Sequence, residues 1–512
     1  MTKTAEDVMD QAIEDIESSL GVNETPYDPA DWLSKTIEEK GLQETTVTTY
    51  ARKKSFKQIC QIVRDDLGKI LEKEEKTDTE QKEKENEWLE LQHAAIIGDE
   101  KAMGYFISRI MEVLRQHNIT SIDFPNFYDS LAEAIFHEVW GTSILYKWEK
   151  YPKSEAAVVR GTELWIDIDG KFVKQDEQFE DIDTVERLKR TFTMRTKDAV
   201  INEQVPELEI EREDGSRITM IQKPRARENY IMFRRFIVKD ISLYEQARLK
   251  TIKEEDVDIF RALSRTMPNT IFAGRVRSAK STFMKSMLRE RSPDYVLAVM
   301  EKHFELGLTE QLNDRLCFEV QAKEGDLHHA MPRLLRMEHD SIVVGEIRSL
   351  ETEGYLQACE RGERGAYSTY HLTDIQNVVP QITRHILDEF PNRKFENELE
   401  RVARNIDIIV TMSADRDRRR KRVIGVTEII WDEEKKRHFT KDLIRYSSVT
   451  DEYYYSSDIS KRLLYLMAAE DMEETKRLVK LLRERENVSP MAKYEALADN
   501  ILKEILGDDA NG

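Results

Sequence analysis

The stretch that decides the fold is Pro268-Asn-Thr-Ile-Phe-Ala-Gly-Arg-Val-Arg-Ser-Ala-Lys-Ser-Thr282. It matches the phosphate-binding pattern Gly-x4-Gly-Lys-Ser/Thr at Gly274, Lys280 and Ser281, and it departs from that pattern only at Ala279. The degenerate match alone leaves two interpretations open. One is a nucleotide-binding P-loop, and the other is an ordinary strand–turn–helix with a surface lysine.

The residues around the motif favour the P-loop. Residues 270–273 are a short apolar run that predicts the end of a buried strand, and residues 281–288 predict a helix. At such a junction, backbone N–H groups and the helix N-terminus point at nucleotide phosphates. Lys280 is then expected to reach the β- and γ-phosphates, and Ser281 to hold Mg²⁺. The predicted nucleotide-contacting residues are Gly274, Arg275, Val276, Arg277, Ser278, Ala279, Lys280, Ser281 and Thr282.

Three further predicted strands end in side chains suited to phosphate chemistry. Residues 340–348 read Asp-Ser-Ile-Val-Val-Gly-Glu-Ile-Arg and predict a strand that ends at Glu346. Two other predicted strands end at Glu301 and His371. Parallel strands place their carboxyl ends on one edge of an α/β sheet, where ligands bind. A carboxylate at that edge can orient or deprotonate an attacking water, and Glu346 is the candidate.

In this pattern the chain resembles the type II/type IV secretion-system ATPase superfamily, the motors of conjugation, pilus assembly and protein secretion. Residues 335–348 resemble the family's Walker B region, with Gly345 where other NTPases have Asp. Residues 353–358 and 362–371 resemble the helix and the histidine box that follow, and residues 301–306 lie where the family has its acidic box.

The resemblance extends over roughly residues 125–445. Arg217 and Arg234 lie in segments that resemble the family's two arginine segments. The sequence is most similar to the conjugation and tight-adherence-pilus branch, and it lacks the tetracysteine zinc module of many pilus motors. Further similar segments are residues 131–140 and 158–172 in the N-terminal sensing domain, and residues 405–410 and 420–428 in the late strands.

The resemblance implies a RecA-type α/β P-loop ATPase domain, preceded by a mixed α/β domain, with ATP and Mg²⁺ as cofactors. Glu346 would position the attacking water, and Glu301 would support the metal–water network. His371 would sense the γ-phosphate, and Arg217 and Arg234 would cap the phosphates. The implied protein is a cytoplasmic homo-hexameric motor ATPase at the inner face of the membrane. Its implied partner is a polytopic membrane platform protein.

The sequence departs from the family at three positions. Arg277 and Ala279 stand where the family's loop has glycine, and Lys302 replaces the Asp expected after Glu301. If the loop needs φ > 0, the Cβ of Ala279 costs about 1–2 kcal/mol, which would weaken nucleotide binding without abolishing it. Arg275 and Arg277 could compensate, because guanidinium groups pair well with phosphate. The alternative function is therefore a catalytically weak or inactive scaffold in the same machinery.

Composition sets the remaining limits. The chain has 512 residues, which predicts two to four domains, and 40% hydrophobic residues, which suffice for real cores. Its three cysteines form no CxxC motif, which argues against a zinc site and favours a reducing compartment. Neither a signal peptide nor a membrane-length apolar run is predicted. The formal charge of −20 argues against direct binding of nucleic acid.

We predict four segments along the chain. Residues 1–120 are an acidic, mostly helical extension with a charged linker, and residues 125–258 are an α/β N-terminal sensing domain. Residues 259–446 are the P-loop ATPase domain, and residues 457–507 are a helical C-terminal tail. The basic cluster 416–422 is interpreted as a hairpin turn with solvated charges, and a nucleic-acid surface is the alternative.

Overall fold

A computed structural model gives the structure of residues 55–68, 78–96, 99–119, 122–193, 199–211, 216–235, 241–322, 326–361, 364–371, 374–414 and 420–497. The chain divides into two compact units, Met1–Lys147 and Trp148–Gly512. The first 54 residues of the predicted acidic extension lie outside the described residues, as does the predicted tail beyond residue 497. Within the described ranges, no helix is both long enough and apolar enough to cross a bilayer.

The first unit is helical where it is described. Its helices are α1 (55–68), α2 (Asp78–Ile96), α3 (Glu100–Gln116) and α4 (Leu131–Val139). Asp99 caps α3, because its Oδ1 accepts the backbone N–H of Ala102 at 2.8 Å. Phe106 of α3 is fully buried, and its ring centroid lies 4.8 Å from that of Trp88. The apolar face of α3 therefore holds this unit together.

The second unit contains a six-stranded antiparallel sheet in the order β3-β2-β1-β6-β5-β4. Its elements are β1 (Ala156–Arg160), β2 (Glu163–Ile168), β3 (Lys171–Gln178), α5 (Ile182–Thr193), β4 (Glu207–Glu211), β5 (Arg217–Ile221) and β6 (Tyr230–Arg234). The helix α5 buries Val185 and Leu188, and the ring centroid of its Phe192 lies 5.4 Å from that of Phe233 on β6. Glu211 at the end of β4 pairs with Arg217 at the start of β5, and the residues between them lie outside the described ranges.

The second unit also contains a nine-stranded sheet in the order β15-β14-β13-β12-β7-β11-β10-β8-β9. The strands are β7 (Thr270–Gly274), β8 (Leu297–Glu301), β9 (Cys317–Gln321), β10 (Ser341–Glu346), β11 (Tyr367–His371), β12 (Ile408–Ala414), β13 (Lys421–Asp432), β14 (Arg437–Ser447) and β15 (Glu452–Tyr455). The strands β7 to β12 are parallel to their neighbours within this group, and the pairs β12–β13, β13–β14 and β14–β15 are antiparallel. The parallel half of the sheet is the part that positions the site.

Helices cover both faces of this larger sheet. They are α6 (Leu243–Arg248), α7 (Val257–Arg265), α8 (Lys280–Arg289), α9 (Leu308–Gln311), α10 (Leu327–Leu334), α11 (Leu350–Cys359), α12 (Val378–Glu389), α13 (Phe395–Asn405), α14 (Lys461–Glu470) and α15 (Met472–Val488). Phe272 packs into the apolar core on one face, and its neighbours Ile271 and Ala273 pack into the core on the other. A strand buried on both faces must be apolar throughout, which is why residues 270–273 read as a continuous run.

These elements confirm the predicted fold class, a RecA-type α/β domain preceded by a mixed α/β region with helical extensions. The sheet continues to Tyr455, beyond the boundary predicted at residue 446. The two helices of the C-terminal tail, α14 and α15, pack their apolar residues into the same core. In the region of the basic cluster, β12 and β13 pair with Ala414 opposite Lys421, as the hairpin interpretation predicts, while residues 415–419 lie outside the described residues.

Candidate nucleotide-binding site

Four strand ends predicted to carry the chemistry meet at one edge of the larger sheet. His371 at the end of β11 lies directly opposite Gly274 at the end of β7. On the other side of β11 runs β10, which ends at Glu346, and β8 beside it ends at Glu301. The parallel strands thus bring together residues that are far apart in the sequence.

The loop between β7 and α8 has the backbone of a tight phosphate-binding turn. Gly274 has φ +156°, and a Cβ at that position would lie 2.3 Å from the carbonyl oxygen of Met412, so only glycine fits. The Ser278 hydroxyl donates a 2.8 Å hydrogen bond to the carbonyl oxygen of Arg275 and closes the turn. Arg277 and Ala279 are left-handed, with φ +65° and +63°.

The loop side chains differ in where they point. Arg275 and Val276 are exposed at its tip, and Ser281 and Thr282 are half-buried in the first turn of α8. The guanidinium of Arg277 faces the smaller sheet, and its Nη2 lies 3.1 Å from Oδ2 of Asp167.

The backbone of Ala279 has the positive φ at which its Cβ causes strain. Ala279 is the residue before α8, and its angles of φ 63° and ψ 30° lie in the left-handed region, which an L-residue with a Cβ enters at a cost of about 1–2 kcal/mol. If the loop with bound phosphate is strained by this Cβ, Ala279→Gly is expected to tighten binding of Mg-ATP by about five- to thirty-fold. Isothermal titration calorimetry measures this directly.

The double variant Ala279→Gly/Arg277→Gly tests whether Arg277 is a phosphate ligand. Because its guanidinium lies on Asp167, we expect the double variant to bind Mg-ATP at least as tightly as the single variant. Weaker binding by the double variant would instead make Arg277 a ligand of the nucleotide.

Lys280 is buried at the centre of the site. Its Nζ donates a 3.0 Å hydrogen bond to the carbonyl oxygen of Arg275 and lies 3.5 Å from Nδ1 of His371. Burial lowers the pKa of Lys280 to about 8, with Glu346 opposing the shift and Arg348 and Arg234 adding to it. Within the described part of the chain, the ammonium group contacts a loop carbonyl and the ring nitrogen of His371 and is influenced by the charge of Glu346. A phosphate oxygen is a far stronger partner than either of the neutral contacts.

Glu346 is held by two neighbours, His371 and Arg348. Its Oε1 lies 2.9 Å from Nε2 of His371, and its Oε2 lies 2.6 Å from Nη2 of Arg348. Burial raises the pKa of Glu346, but the hydrogen bonds from His371 and Arg348 outweigh it and bring the pKa down to about 2. Glu346 is therefore ionised at neutral pH, and it is better suited to orienting a water than to removing its proton.

Glu301 occupies the space beside Gly345. A Cβ on Gly345 would lie 3.0 Å from Cγ of Glu301, so a side chain at position 345 would displace it. The Oε1 of Glu301 accepts backbone N–H groups of Glu305 at 3.1 Å and Leu306 at 3.0 Å. In this structure Glu301 therefore fixes the loop after β8 and places its carboxylate next to the strand that carries Glu346.

The two predicted arginines lie side by side on the smaller sheet. Arg217 opens β5 and is directly opposite Arg234, the last residue of β6. Arg217 pairs with Glu209 at 3.0 Å and also with Glu305 in the loop after β8. Arg234 lies within electrostatic range of Lys280, since its charge lowers the pKa of that lysine.

The surroundings of Arg234 are electropositive. Desolvation lowers its pKa, and the charges of Arg217 and Arg277 lower it further. Cations that disfavour each other's charged form are an arrangement that a bound polyanion relieves. The left-handed loop, Lys280 and these arginines together fit the phosphates of a nucleotide.

The donor set also fits Mg²⁺ held mainly by the nucleotide. Within the described part of the chain, no group of three or more His, Cys, Asp or Glu side chains is arranged to hold a metal ion. Mg²⁺ in nucleotide sites is bound through one or two protein ligands, phosphate oxygens and waters. Ser281 in the first turn of α8 is placed to supply one such ligand.

A groove of about 490 Å³ opens beside Glu346 and His371. The other wall of the groove is formed by α12, whose Gln381, Arg384, His385 and Asp388 were not predicted from the sequence. No motif marks these residues, and only the packing of α12 beside β11 brings them to the site. The groove gives solvent a route to Glu346.

Comparison with known proteins agrees with the motifs. Residues 169–407 match the family model described as type II/IV secretion system protein. Similar solved structures include the VirB11 ATPase of the Brucella suis type IV secretion system, in complex with sulphate. It has 17% identity and a TM-score of 0.31, over 57% of this chain and 93% of that one.

Two more solved structures are similar at the same low level. The Legionella pneumophila ATPase DotB has 13% identity and a TM-score of 0.41, over 71% of this chain and 90% of its own. The pilus retraction motor PilT with bound ADP has 14% identity and a TM-score of 0.42, over 67% and 89%. No curated protein matches the sequence significantly. Residues 169–407 therefore contain a domain that matches the type II/IV secretion system protein family, and the motif residues at the sheet edge lie within it.

Proposed function

We propose that the protein is a motor ATPase that couples hydrolysis of ATP to secretion, conjugative transfer or pilus assembly. The observation that carries the proposal is the arrangement of Lys280, His371 and Glu346. They form a continuous chain of contacts at the mouth of the P-loop, with separations of 3.5 Å and 2.9 Å. A surface lysine in an ordinary strand–turn–helix would have no reason to be buried against this pair.

The proposed roles follow from these contacts. Lys280 binds the β- and γ-phosphates, and its present hydrogen bond to the loop carbonyl is replaced when they arrive. Ser281 ligates Mg²⁺. Glu346 orients the attacking water, and His371, which touches both Lys280 and Glu346, links occupancy of the phosphate site to the position of that carboxylate.

Glu301 and the arginines have supporting roles in this proposal. Glu301 sets the loop that carries Glu305, and Glu305 pairs with Arg217. Phosphates entering the site would compete with Glu305 for Arg217, which would loosen the contact between the smaller sheet and the loop after β8. Arg234 adds positive charge near Lys280. This exchange of partners is how hydrolysis would be coupled to movement of the smaller sheet.

The function we propose uses a ring of six copies, bound to a polytopic membrane platform at the inner face of the membrane. The ring rests on the similarity of residues 169–407 to the secretion-system ATPase family.

We expect the full-length protein to form hexamers, more completely with Mg²⁺ and a non-hydrolysable ATP analogue than without. Multi-angle light scattering at several protein concentrations measures the mass of the assembly against the 60.1 kDa of one chain. A strict monomer at high concentration under both conditions would contradict the ring.

A non-hydrolysing scaffold is the second candidate. It is favoured by the left-handed Ala279 and Arg277, where the family has glycine, because both residues disfavour the loop conformation. Radiolabelled ATP binding followed by phosphate release separates the two functions. Binding without release, in the assembled state, would favour the scaffold over the motor.

A further inference from the structure

Arg277 makes a buried contact that the nucleotide-binding role does not explain. Its side chain is 11% exposed, and its Nη2 lies 3.1 Å from Oδ2 of Asp167, whose side chain is 5% exposed. The guanidinium carbon also lies 5.0 Å from the ring centroid of Phe172. A loop arginine is thus fixed by an ion pair and by a cation–π contact at once.

The two partners of Arg277 form a surface prepared by the sheet itself. Asp167 on β2 and Phe172 on β3 lie directly opposite each other in the antiparallel register, so their side chains share one face. The carboxylate of Asp167 pairs with Nη2 of the guanidinium, and the ring of Phe172 makes the cation–π contact. Such a pair recognises the planar shape of Arg, which Lys lacks.

In the described part of the chain, each of the two charged groups also has a buried atom that forms no hydrogen bond. Among the described residues, Nη1 of Arg277 and Oδ1 of Asp167 are both buried and have no hydrogen-bond partner. Removal of either charge would therefore leave the other buried and uncompensated, which is strongly unfavourable. The ion pair directs Nη2 of the guanidinium at Asp167.

We propose that Asp167 is a positioning residue for nucleotide binding, acting through Arg277. By anchoring the side chain of Arg277, it keeps residues 277 and 279 in the left-handed conformation that glycine would adopt without help. The inference rests on the proposed nucleotide site. It also goes further, because it makes the conformation of the P-loop depend on a residue of the smaller sheet.

In this proposal the smaller sheet acts on the P-loop through the pair of Asp167 and Arg277. Asp167 belongs to β2 of the smaller sheet, whereas Arg277 belongs to the loop that follows β7 of the larger one. If the smaller sheet moves away, Arg277 loses its anchor and the loop relaxes to conformations that bind phosphate less well. The position of the smaller sheet thus controls the affinity of the site.

The test uses Asp167→Asn in the full-length protein, with Asp176→Asn as the matched control. Asp176 is an exposed carboxylate on β3 of the same sheet. In Asp167→Asn we expect faster hydrogen exchange of the loop amides without nucleotide and a Kd for Mg-ATP raised about tenfold, within the range that loss of a left-handed preference implies. The control should leave both measurements unchanged.

The double variant Asp167→Asn/Arg277→Gly separates positioning from simple damage. Glycine needs no anchor to adopt φ > 0, so we expect this variant to recover a Kd within about threefold of the parent protein. If Asp167→Asn does not fold, as judged by circular dichroism, the double variant and Arg277→Gly alone still make the comparison. A double variant that folds but stays weak would overturn the proposal.

Two further results would also overturn it. Unchanged loop exchange and unchanged Kd in Asp167→Asn would mean that the pair does not hold the loop. Tighter binding in Asp167→Asn would mean that Asp167 withholds Arg277 from the phosphates. If the parent protein binds no Mg-ATP, the proposed function fails, while the exchange measurement on the nucleotide-free loop still tests the positioning role.

Discussion

Lys280→Ala is expected to abolish the binding of Mg-ATP. Its ammonium group is buried at the mouth of the loop, and it is the cation placed to meet the β- and γ-phosphates. Alanine removes this charge and also the hydrogen bond from Nζ to the carbonyl oxygen of Arg275. Calorimetry or fluorescence anisotropy with a labelled nucleotide measures the loss, and circular dichroism checks that the variant is folded.

The control for this variant is Lys461→Ala. Lys461 is the exposed first residue of α14, just as Lys280 is the first residue of α8, so it matches the change in residue type and in helix position. Affinity should be unchanged in the control. An unchanged affinity in Lys280→Ala itself would mean that the loop is not the nucleotide site.

The lowered pKa of Lys280 predicts how the affinity for Mg-ATP depends on pH. The pKa of Lys280 without nucleotide is lowered to about 8, mainly by burial, and bound phosphates would raise it again. Below this pH the lysine is already charged, and above it binding requires uptake of a proton. The Kd for Mg-ATP should therefore rise about tenfold for each pH unit above 8, and the rise should be absent in Lys280→Arg.

Glu346→Gln is expected to preserve binding of Mg-ATP and to reduce turnover by about 10²–10⁴-fold. Glutamine has the same shape, but it lacks the negative charge that pairs with His371 and Arg348. It therefore cannot hold the attacking water as a carboxylate does. Steady-state phosphate release measures turnover, and calorimetry measures binding on the same preparation.

A matched control for this prediction is Glu338→Gln, an exposed glutamate eight positions earlier in the same segment. Turnover should be unaffected there. If Glu346→Gln hydrolyses ATP at the rate of the parent protein, Glu346 has no part in the mechanism. If the parent protein and Glu346→Gln both bind Mg-ATP and neither hydrolyses it, the scaffold candidate is favoured.

The catalytic edge was predictable because its signals are local. Three of the strands that carry a site residue are short apolar runs that end in Gly274, Glu301 or Glu346, and burial on both faces requires such a run. The strand that ends in His371 reads Tyr-Ser-Thr-Tyr-His and gives a weaker signal. The rule that parallel strands align their carboxyl ends then supplies the neighbourhood. Neither step needs knowledge of how the two sheets pack.

Contacts between the two sheets were not predictable, because no local signal in the sequence marks them. Asp167 lies 110 positions before Arg277, and an aspartate on a strand gives no sign of what it will face. Arg217 and Arg234 also lie far from the loop in the sequence. Distance along the chain is a poor guide here, because β5 and β6 bring both arginines to the same edge of the smaller sheet.

The close approach of Glu301 to Gly345 has a consequence for how this site can change. A Cβ on residue 345 would meet the Glu301 side chain at 3.0 Å, so the two adjacent strands have room for one acidic side chain between them. A side chain at position 345 therefore requires the Glu301 side chain to shift. Exchanging both residues together, as in Gly345→Asp/Glu301→Gly, would move the acidic group between the strands without this crowding, whereas either single change leaves the site more crowded or without its carboxylate.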